Sequence, residues 1–244
     1  MSAKCVSILQ SAYIPWKGYF DIINLADEFI FYEDVQYTKN DWRNRNLIKT
    51  SQGIQWLTIP VHGSTNILLK DTQVSNNLWP TKHWKTLTNY YSKAKFFKQY
   101  AEIFYNLYEH CKQENLLSKI NYLFIKTICD ILQINNKISW SMSYANKIEG
   151  IFDKTERVIA LCKAAQATRY VSGPAGRNYI DETLFSKAGI ELYYMNYDNY
   201  PLYHQLHGEF SHTVSIIDLI FNEGPNAKNL MKSFQRVANE LIYC

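Results

Sequence analysis

The sequence predicts an α/β fold in which residues 1–244 form a single domain, with a parallel sheet and a helical insertion at about residues 78–132. Three observations support this prediction. Segments typical of strands and helices alternate over the first 61 residues, and they alternate again after residue 137. The long stretch between these two regions has only helical periodicity.

The first 32 residues have the pattern of a βαβ unit. Residues 6–9 form a short apolar strand, and a loop with Pro15 and Gly18 follows. Residues 19–26 have the i, i+3, i+4, i+7 spacing of an amphipathic helix, and residues 28–32 are rich in the β-branched and aromatic types that favour a strand. Such a unit implies parallel strands, with ligands bound at their carboxyl ends.

The remaining elements follow the same patterns along the chain. Residues 54–61 form a strand, and residues 78–132 form two or three helices with breaks near Ala94 and Glu114. The elements predicted after the insertion are strands at 137–141, 169–171 and 191–194, and helices at 154–165, 182–188, 215–221 and 227–241.

The composition is typical of a globular protein, with 47% hydrophobic and 20% charged residues. The net charge of +4 permits an anionic substrate, and no run of Lys and Arg indicates a nucleic-acid tail. Tyrosine is abundant, with 19 residues, and its apolar ring with a polar tip suits a pocket for sugars or bases. The alternative explanation is an A/T-rich genome, which also favours Tyr codons.

The five cysteines indicate a reducing compartment, because their number is odd and no CxxC motif occurs. We therefore expect neither disulfides nor a structural zinc site. We also expect no signal peptide, since the apolar stretch at the N-terminus is too short. No apolar segment approaches the ~20 residues that span a membrane. The expected location is the cytoplasm.

A first polar cluster, residues 10–20, lies between the first strand and the first helix. The helix N-terminus can hold an anion, Pro15 and Gly18 shape the turn, and aromatic rings offer stacking faces. The alternative is a structural loop packed by aromatics. The candidate substrate-binding residues in this cluster are Gln10, Tyr13, Trp16, Gly18 and Tyr19.

A second cluster, residues 33–49, follows the second strand, where ligands of parallel sheets bind. Arg43 and Arg45 can form forked hydrogen bonds to phosphate or carboxylate, and Asp34 is a candidate base. The alternative is a solvated loop of mixed charge. The candidate substrate-binding residues are Gln36, Tyr37, Lys39, Trp42, Arg43, Asn44 and Arg45.

A third cluster, residues 172–179, also connects a strand to a helix. Its small residues let the backbone approach a ligand closely. The alternative is a tight connection without a ligand. The candidate substrate-binding residues are Ser172, Gly173, Arg177 and Tyr179.

A fourth cluster, residues 203–218, contains three histidines, and histidine is the usual acid or base near neutral pH. His207 and His212 are candidate catalytic residues, and Gln205 is a candidate substrate-binding residue. The two histidines lack the i, i+4 spacing of a helical zinc pair, so we predict no metal site. With Asp218 nearby, His212 could be an oriented base; the alternative is a structural histidine at a helix start.

Four separated stretches carry a resemblance to a known family. They read QSAYIPWKGYFDII, FYEDVQYTKNDWRNRNLIKT, WLTIPV, and YVSGPAGRNYID with YHQLHGEFSHTVSIIDLIFNEG. With them the chain resembles the WbqC-like protein family from about residue 7 to residue 224. The resemblance implies work in the synthesis of bacterial surface polysaccharides, especially O-antigens with unusual amino sugars.

A second resemblance concerns the fold. The opening strand, proline-containing loop and helix are similar to those of the HUP-like nucleotidyltransferase and pantothenate-synthetase group, which implies a Rossmann-like sheet. In that group an HxGH signature contacts the ATP phosphates. Here residues 16–19 read WKGY, without either histidine, which argues against adenylyl transfer. The later SGPAGRNYID is loosely similar to the second phosphate loop of that group.

Three functions remain open at this point. The first is transfer of an acyl or aminoacyl group to the amino group of a nucleotide-linked sugar, with an acyl thioester, an aminoacyl-tRNA or an acyl-adenylate as donor. The second is an ATP-dependent ligase or nucleotidyltransferase, and the third is non-catalytic binding of sugar nucleotides. The sequence assigns no cofactor and is compatible with a homodimer. For the first function, the region of His212 has to meet Gln10 and Arg43 at one edge of the sheet.

Overall fold

The computed structural model of the chain describes residues 3–63 and 66–235. A parallel sheet of five strands lies at its centre, in the order β5-β2-β1-β6-β7, and a separate antiparallel pair joins β3 to β4. The strands are β1 (Cys5–Leu9), β2 (Glu28–Phe31), β3 (Arg45–Thr50), β4 (Gly53–Thr58), β5 (Lys137–Trp140), β6 (Arg169–Ser172) and β7 (Glu191–Tyr194). The predicted α/β fold with a parallel sheet is therefore confirmed.

Helices cover both faces of this sheet. The helices of the described chain are α1 (Lys17–Leu25), α2 (Trp79–Tyr91), α3 (Phe97–Cys111), α4 (Leu117–Leu132), α5 (Ala145–Ile148), α6 (Lys154–Ala164), α7 (Glu182–Lys187) and α8 (Ile216–Glu223). Helices α2, α3 and α4 lie between β2 and β5 in the chain, although those two strands are neighbours in the sheet. The breaks expected near Ala94 and Glu114 fall between these helices.

The two faces of the sheet belong to two hydrophobic clusters, because successive strand residues point to opposite sides. Phe29 and Phe31 of β2 pack into a cluster with residues of α1, α2, α3, α4 and α8. Ile30 of the same strand packs with Val6, Ile8 and residues of α5, α6 and α7. This alternation explains why a fully buried strand carries large side chains on both faces.

Strand β1 occupies the centre of the sheet, where the direction of strand succession reverses. It pairs with β2 on one side and with β6, far along the chain, on the other. The buried Ser7 hydroxyl donates to the carbonyl oxygen of Val171 at 2.7 Å and adds a side-chain link between β1 and β6. The carboxyl ends of β1 and β6 thus diverge toward different connections and leave a crevice between them.

The hairpin of β3 and β4 differs from the sequence-based expectation. The sequence predicts a polar ligand-binding cluster over residues 33–49 and no strand before residue 54, whereas β3 begins at Arg45 and pairs with β4 in antiparallel register. The reason is that polar residues of β3 are buried: Asn46 is 2% exposed, and its side-chain amide donates to the carbonyl oxygen of Tyr13 at 3.0 Å. Buried polar groups with partners conceal the period of a strand.

The predicted closing helix at 227–241 is also different. The described part forms 3₁₀ turns at Gly224–Leu230 and Lys232–Phe234, and residues 236–241 of the prediction lie outside the described residues. The buried carboxylate of Asp21 accepts hydrogen bonds from the backbone N–H groups of Lys232 and Ser233 at 3.2 and 2.8 Å. These amides are engaged by a side chain instead of by a helical carbonyl.

Within residues 3–63 and 66–235, no helix is both long enough and apolar enough to cross a lipid bilayer.

Candidate ligand-binding site

A cavity of about 780 Å³ opens at the carboxyl ends of β1 and β6, where the strand order reverses. We call it the main cavity. It is lined by Ile8, Leu9, Gln10, Ala12, Pro15, Trp16, Tyr19, Tyr32, Val35, Gln36, Trp42, Arg43, Asn46, Lys154, Val158, Tyr170, Ala175, Tyr179 and Thr213. Ligands of open α/β sheets bind at this position, so the main cavity is the candidate functional site.

Arg43 is fixed on the wall of the main cavity by the loop that follows β1. Its Nη1 donates to the carbonyl oxygens of Gln10 and Ser11 at 3.0 and 3.1 Å. Its Nε lies 3.6 Å from a carboxylate oxygen of Asp41 and has no hydrogen-bond partner within the described ranges. The guanidinium therefore ties the loops after β1 and β2 together and presents an oriented positive charge.

A second cation, Lys154, lines the main cavity from the first turn of α6. The preceding residue, Asp153, caps this helix by accepting the backbone N–H of Glu156 at 2.9 Å. None of the lining residues in the described part of the chain is acidic. The charge of the lining side chains is positive, which favours an anionic ligand.

Aromatic rings form much of the remaining wall. The ring of Trp16 folds back over the first turn of α1, where a Cβ on Gly18 would come within 2.4 Å of it. Tyr19 donates its hydroxyl to the carbonyl oxygen of Gln10 at 3.0 Å, and Trp42 is 43% exposed. Gly18 therefore serves the site by making room for Trp16, and the rings offer faces on which a base or sugar can stack.

A buried polar network supports Arg43 from below. The carboxylate of Glu33 accepts hydrogen bonds from the backbone N–H of Ser11 at 2.7 Å and from its hydroxyl at 3.2 Å. Burial raises the pKa of Glu33 to about 7, although these bonds and the charge of Arg43 lower it in part. Asn121 of α4 donates to the Ser11 hydroxyl at 3.0 Å and to the carbonyl oxygen of Arg43 at 2.9 Å.

Asp34 and His207, two of the candidate catalytic residues, lie outside the main cavity. One carboxylate oxygen of Asp34 pairs with Lys70 at 2.8 Å, and the other accepts the hydroxyl of Ser141 at 2.6 Å. His207 contacts the carbonyl oxygen of Tyr90 through Nε2 at 2.8 Å. Both residues therefore link neighbouring segments of the chain.

His212, the third candidate catalytic residue, is not among the lining residues of the main cavity but directly precedes one of them in the chain. The next residue, Thr213, is part of the cavity wall, and the imidazole of His212 packs against Phe210 with ring centroids 4.5 Å apart. Burial and the nearby charge of Lys17 lower the pKa of His212, which favours the neutral imidazole that can accept a proton. The structure thus brings the segment of His212 to the cavity that Gln10 and Arg43 line.

Lys17 is a buried cation behind this histidine. Burial lowers the pKa of its ammonium to about 8, and the Nζ lies 4.5 Å from the centre of the Tyr200 ring. Asp218, which the sequence places near His212, instead accepts the hydroxyls of Tyr91 and Tyr203, both at 2.9 Å. Asp218 therefore braces the fold and is not the partner of His212.

The predicted substrate-binding residues divide into those that line the main cavity and those that do not. The lining residues among them are Gln10, Trp16, Tyr19, Gln36, Trp42, Arg43 and Tyr179. Those outside its lining are Tyr13, Gly18, Tyr37, Lys39, Asn44, Arg45, Ser172, Gly173, Arg177 and Gln205. The predicted residues are therefore split between the wall of the main cavity and positions beside it.

Three of these neighbours illustrate such structural roles. Tyr13 is fully buried, and its hydroxyl bonds to Nδ1 of His83 at 2.9 Å and to the hydroxyl of Tyr108 at 2.7 Å. The guanidinium of Arg45 lies 4.2 Å from the centre of the Trp56 ring. Gln205 donates to the carbonyl oxygen of Ser211 at 2.9 Å.

Several cavity residues could not be selected from the sequence. Lys154 and Val158 belong to an ordinary amphipathic helix, and Tyr170 lies inside a short strand. The capping Asp153 marks where this helix begins, but it does not indicate that Lys154 faces the cavity. Asn121 gave no signal, since it lies within a long helix far from every motif.

Groups of three or more His, Cys, Asp or Glu side chains that could hold a metal ion are absent from residues 3–63 and 66–235.

Comparison with known proteins gives two matches over most of the chain. A model of the WbqC-like protein family matches residues 10–230. The chain is 44% identical over 231 residues to Rv1507c, an uncharacterized protein of Mycobacterium tuberculosis (strain ATCC 25618 / H37Rv), and the match covers 94% of this chain and 98% of that protein. No solved structure matches. The matched region includes every residue of the main cavity from Gln10 onward.

Proposed function

Because this chain belongs to the WbqC-like protein family, we propose that it binds a nucleotide-linked amino sugar in the main cavity and transfers an acyl or aminoacyl group to the sugar's amino group. The proposed setting is the synthesis of bacterial surface polysaccharide such as O-antigen. The observation that carries the proposal is a large cavity whose charged lining residues are both cations and whose walls are aromatic. A sugar nucleotide has a diphosphate that matches the cations, and a base and a sugar ring that match the aromatic walls.

The size and charge of the main cavity support a ligand of this kind. Its volume of about 780 Å³ lies within the usual range for small-molecule sites, roughly 300–1,000 Å³. In our proposal Arg43 and Lys154 hold the diphosphate, since a guanidinium forms forked bonds to phosphate oxygens. Trp16 and Trp42 stack on the base or the sugar.

The topology supports a Rossmann-like fold of the HUP and nucleotidyltransferase kind as part of this proposal. The order β5-β2-β1-β6-β7 has the first strand at the centre, as in doubly wound nucleotide-binding sheets. In this interpretation the helices α2, α3 and α4 are an insertion into a single α/β domain. A nucleotide would then occupy the crevice between β1 and β6.

The proposed reaction is nucleophilic acyl transfer. The amine nitrogen of the sugar bonds to the acyl carbonyl carbon, while the bond from that carbon to the leaving group breaks. The leaving group is the thiolate of a thioester, the ribose hydroxyl of a tRNA or the phosphate of an adenylate. The proton that the amine loses passes to His212, whose lowered pKa keeps it ready to accept one.

The cytoplasm is the proposed location. Cys5, Cys111, Cys129 and Cys162 are free thiols, which supports a reducing compartment.

The test is thermal-shift titration of the full chain with UDP-, dTDP- and GDP-linked amino sugars, acyl-CoA and ATP. We expect one sugar nucleotide to raise the melting temperature, because a ligand that binds the native state stabilises it. Arg43→Lys keeps the positive charge but removes the forked guanidinium, so it should lower the affinity for that sugar nucleotide by about tenfold. Arg169→Ala is the matched control, since this exposed arginine pairs with Glu191 at 2.8 Å away from the cavity.

Two results would contradict the proposal. One is the absence of any shift with sugar nucleotides at millimolar concentration. The other is stabilisation by ATP together with exchange of labelled pyrophosphate, which would favour a ligase or nucleotidyltransferase. If the ligand binds but His212→Ala leaves transfer unchanged, His212 is not the proton acceptor.

A further inference from the structure

A second, smaller cavity of about 460 Å³ adjoins the main cavity. We call it the side cavity. It is lined by Gln36, Tyr37, Thr38, Lys39, Asn40, Asn44, Thr58, Ile59, Pro60, Val61 and Gly63. Gln36 lines both cavities, so the two spaces meet at the loop after β2.

The walls of the side cavity are held by backbone bonds. The N–H of Tyr37 donates to the carbonyl oxygen of Ile67 at 2.9 Å. Asn44 is bound to Ile59 twice, since the N–H of Ile59 donates to the carbonyl oxygen of Asn44 at 2.7 Å and the amide Nδ2 of Asn44 donates to the carbonyl oxygen of Ile59 at 2.7 Å. The side chain of Asn44 therefore has a fixed orientation in this wall.

The amide of Asn44 has an unused acceptor. The residue is only 6% exposed, and its Oδ1 has no hydrogen-bond partner among residues 3–63 and 66–235. A buried acceptor without a partner is unfavourable, because it has lost its water without gaining a bond. A ligand with an O–H or N–H group in the side cavity would supply the missing donor.

The charge of the side cavity restricts what that ligand can be. Lys39 is the only lining residue in the described part of the chain that carries a formal charge. Among the lining residues an ammonium group would therefore meet a positive charge and no carboxylate, although Asp41 and Arg45 both lie near enough to Tyr37 to act on its pKa. A neutral hydroxyl or amide would not be repelled by Lys39. The apolar side chains of Ile59, Pro60 and Val61 suit a short hydrocarbon part.

We propose that the side cavity binds the acyl part of the second reactant, a short acyl group that carries a neutral hydroxyl or amide donor near Oδ1 of Asn44. This inference rests on the proposed function, because it places the acyl donor beside the bound sugar nucleotide. It also narrows that function, since it disfavours an aminoacyl group with a free ammonium. Gln36 marks the place where the two reactants meet.

The test compares two thioesters that differ in one group, S-lactoyl- and S-alanyl-N-acetylcysteamine. Their affinities for the full chain are measured by saturation-transfer NMR at about pH 6.5, where the alanyl amine is protonated. We expect the lactoyl compound to bind about tenfold more tightly, a difference that one like charge near a protein surface can produce. Asn44→Leu should remove most of this binding.

Two further variants locate the binding and its charge preference. Val61→Trp should weaken binding of the lactoyl compound, because the indole ring fills the side cavity. This variant replaces Asn44→Leu as the test if Asn44→Leu does not fold. Lys39→Glu should narrow or reverse the preference, because it replaces the cation with an anion. Lys98→Glu makes the same charge change on the exposed face of α3 and should leave both affinities unchanged.

Equal or tighter binding of the alanyl compound would overturn the inference. Lactoyl binding that Val61→Trp does not weaken would do the same, because the site would then lie elsewhere. Failure of the proposed function has a different signature. Sugar nucleotides would then cause no thermal shift while the preference for the lactoyl compound persists.

Discussion

Glu33 combines two properties that conflict for a carboxylate. Its side chain is fully buried beneath the main cavity, yet it accepts two hydrogen bonds from Ser11 that favour the charged form. Desolvation is the larger effect, so the pKa lies near 7 and above the ordinary value of 4.5. The proton on this group is therefore bound more tightly in the folded chain than in the unfolded chain.

Glu33→Gln should change how stability depends on pH. With the raised pKa, the contribution of Glu33 is fully present below about pH 4.5 and is lost as the pH rises through about 7. Between pH 5 and pH 8 the free energy of unfolding of the wild type should fall by about 3 kcal/mol relative to Glu33→Gln. Denaturant titrations at several pH values measure this difference.

Glu156→Gln is the control for this experiment, because Glu156 is exposed on α6. Its stability should follow the wild-type curve across the whole pH range. Parallel curves for Glu33→Gln and the wild type would show that the carboxylate of Glu33 is already charged at pH 5.

At the scale of single residues, the sequence identifies groups whose chemistry is unusual for their surroundings. Arg43 and Trp16 stand in polar clusters directly after strands, and both line the main cavity. Asn121 and Lys154 could not be identified in this way, because each stands in a helix where its type is common. Their roles come from tertiary contacts that no local pattern encodes.

Among the elements, α4 is linked by hydrogen bonds to the loops of the site through the side chain of Asn121. The amide nitrogen of Asn121 donates both to the Ser11 hydroxyl and to the carbonyl oxygen of Arg43. The helix therefore connects the loops that follow β1 and β2. In this way the long helical stretch between β2 and β5 supports the site although it contributes no residue to the lining of the main cavity.

Asn121→Leu should lower both the stability of the fold and the affinity for the ligand. Loss of the two bonds leaves the partly buried carbonyl oxygen of Arg43 without this donor, at a cost of about 1–3 kcal/mol in the free energy of unfolding. The affinity for the stabilising sugar nucleotide should also fall, since Arg43 is no longer held. Calorimetry gives the affinity, and thermal melting gives the stability.

Asn226→Leu controls for the loss of an exposed asparagine, and we expect it to change stability by less than about 0.5 kcal/mol. If Asn121→Leu lowers the melting temperature but leaves the affinity intact, α4 supports the fold without positioning Arg43.

Helices and strands were predictable where the buried positions are apolar and recur with the spacing of a helix or a strand. Strands β1 and β2 and helix α1 lie within two residues of their predicted bounds. Strand β3 was not predictable, because Asn46 and Lys49 occupy buried positions that a hydrophobic pattern reserves for apolar residues. Residues 227–235, the described part of the predicted closing helix, form 3₁₀ turns, and there the carboxylate of Asp21 accepts hydrogen bonds from the backbone N–H groups of Lys232 and Ser233.

On the scale of the whole molecule, the main cavity joins segments that are distant in the chain. Gln10, Arg43, Lys154 and Tyr179 come from four different connections at one edge of the sheet. The sequence predicts such a meeting from the rule for parallel strands, but not which side chains face the cavity.

A ligand in the main cavity should protect all of these segments together. Hydrogen exchange of the backbone amides should slow in residues 10–16, 33–44 and 174–179 when the sugar nucleotide binds, because local opening then requires release of the ligand. Mass spectrometry of peptic peptides measures this effect. Peptides that cover α3, which contributes no residue to the lining of the main cavity, provide the internal control. Protection of one segment alone would mean that the ligand does not bridge the cavity.

The bond between Ser7 and Val171 spans 164 residues and has a consequence for biosynthesis. Strand β1 leaves the ribosome early, whereas β6 follows roughly 10–30 s later at ordinary rates of translation. During this interval the nascent chain can pair β1 with β2, but the other edge of β1 stays open to chaperones or to aggregation. The cavity becomes competent to bind only when the last third of the polypeptide has been made.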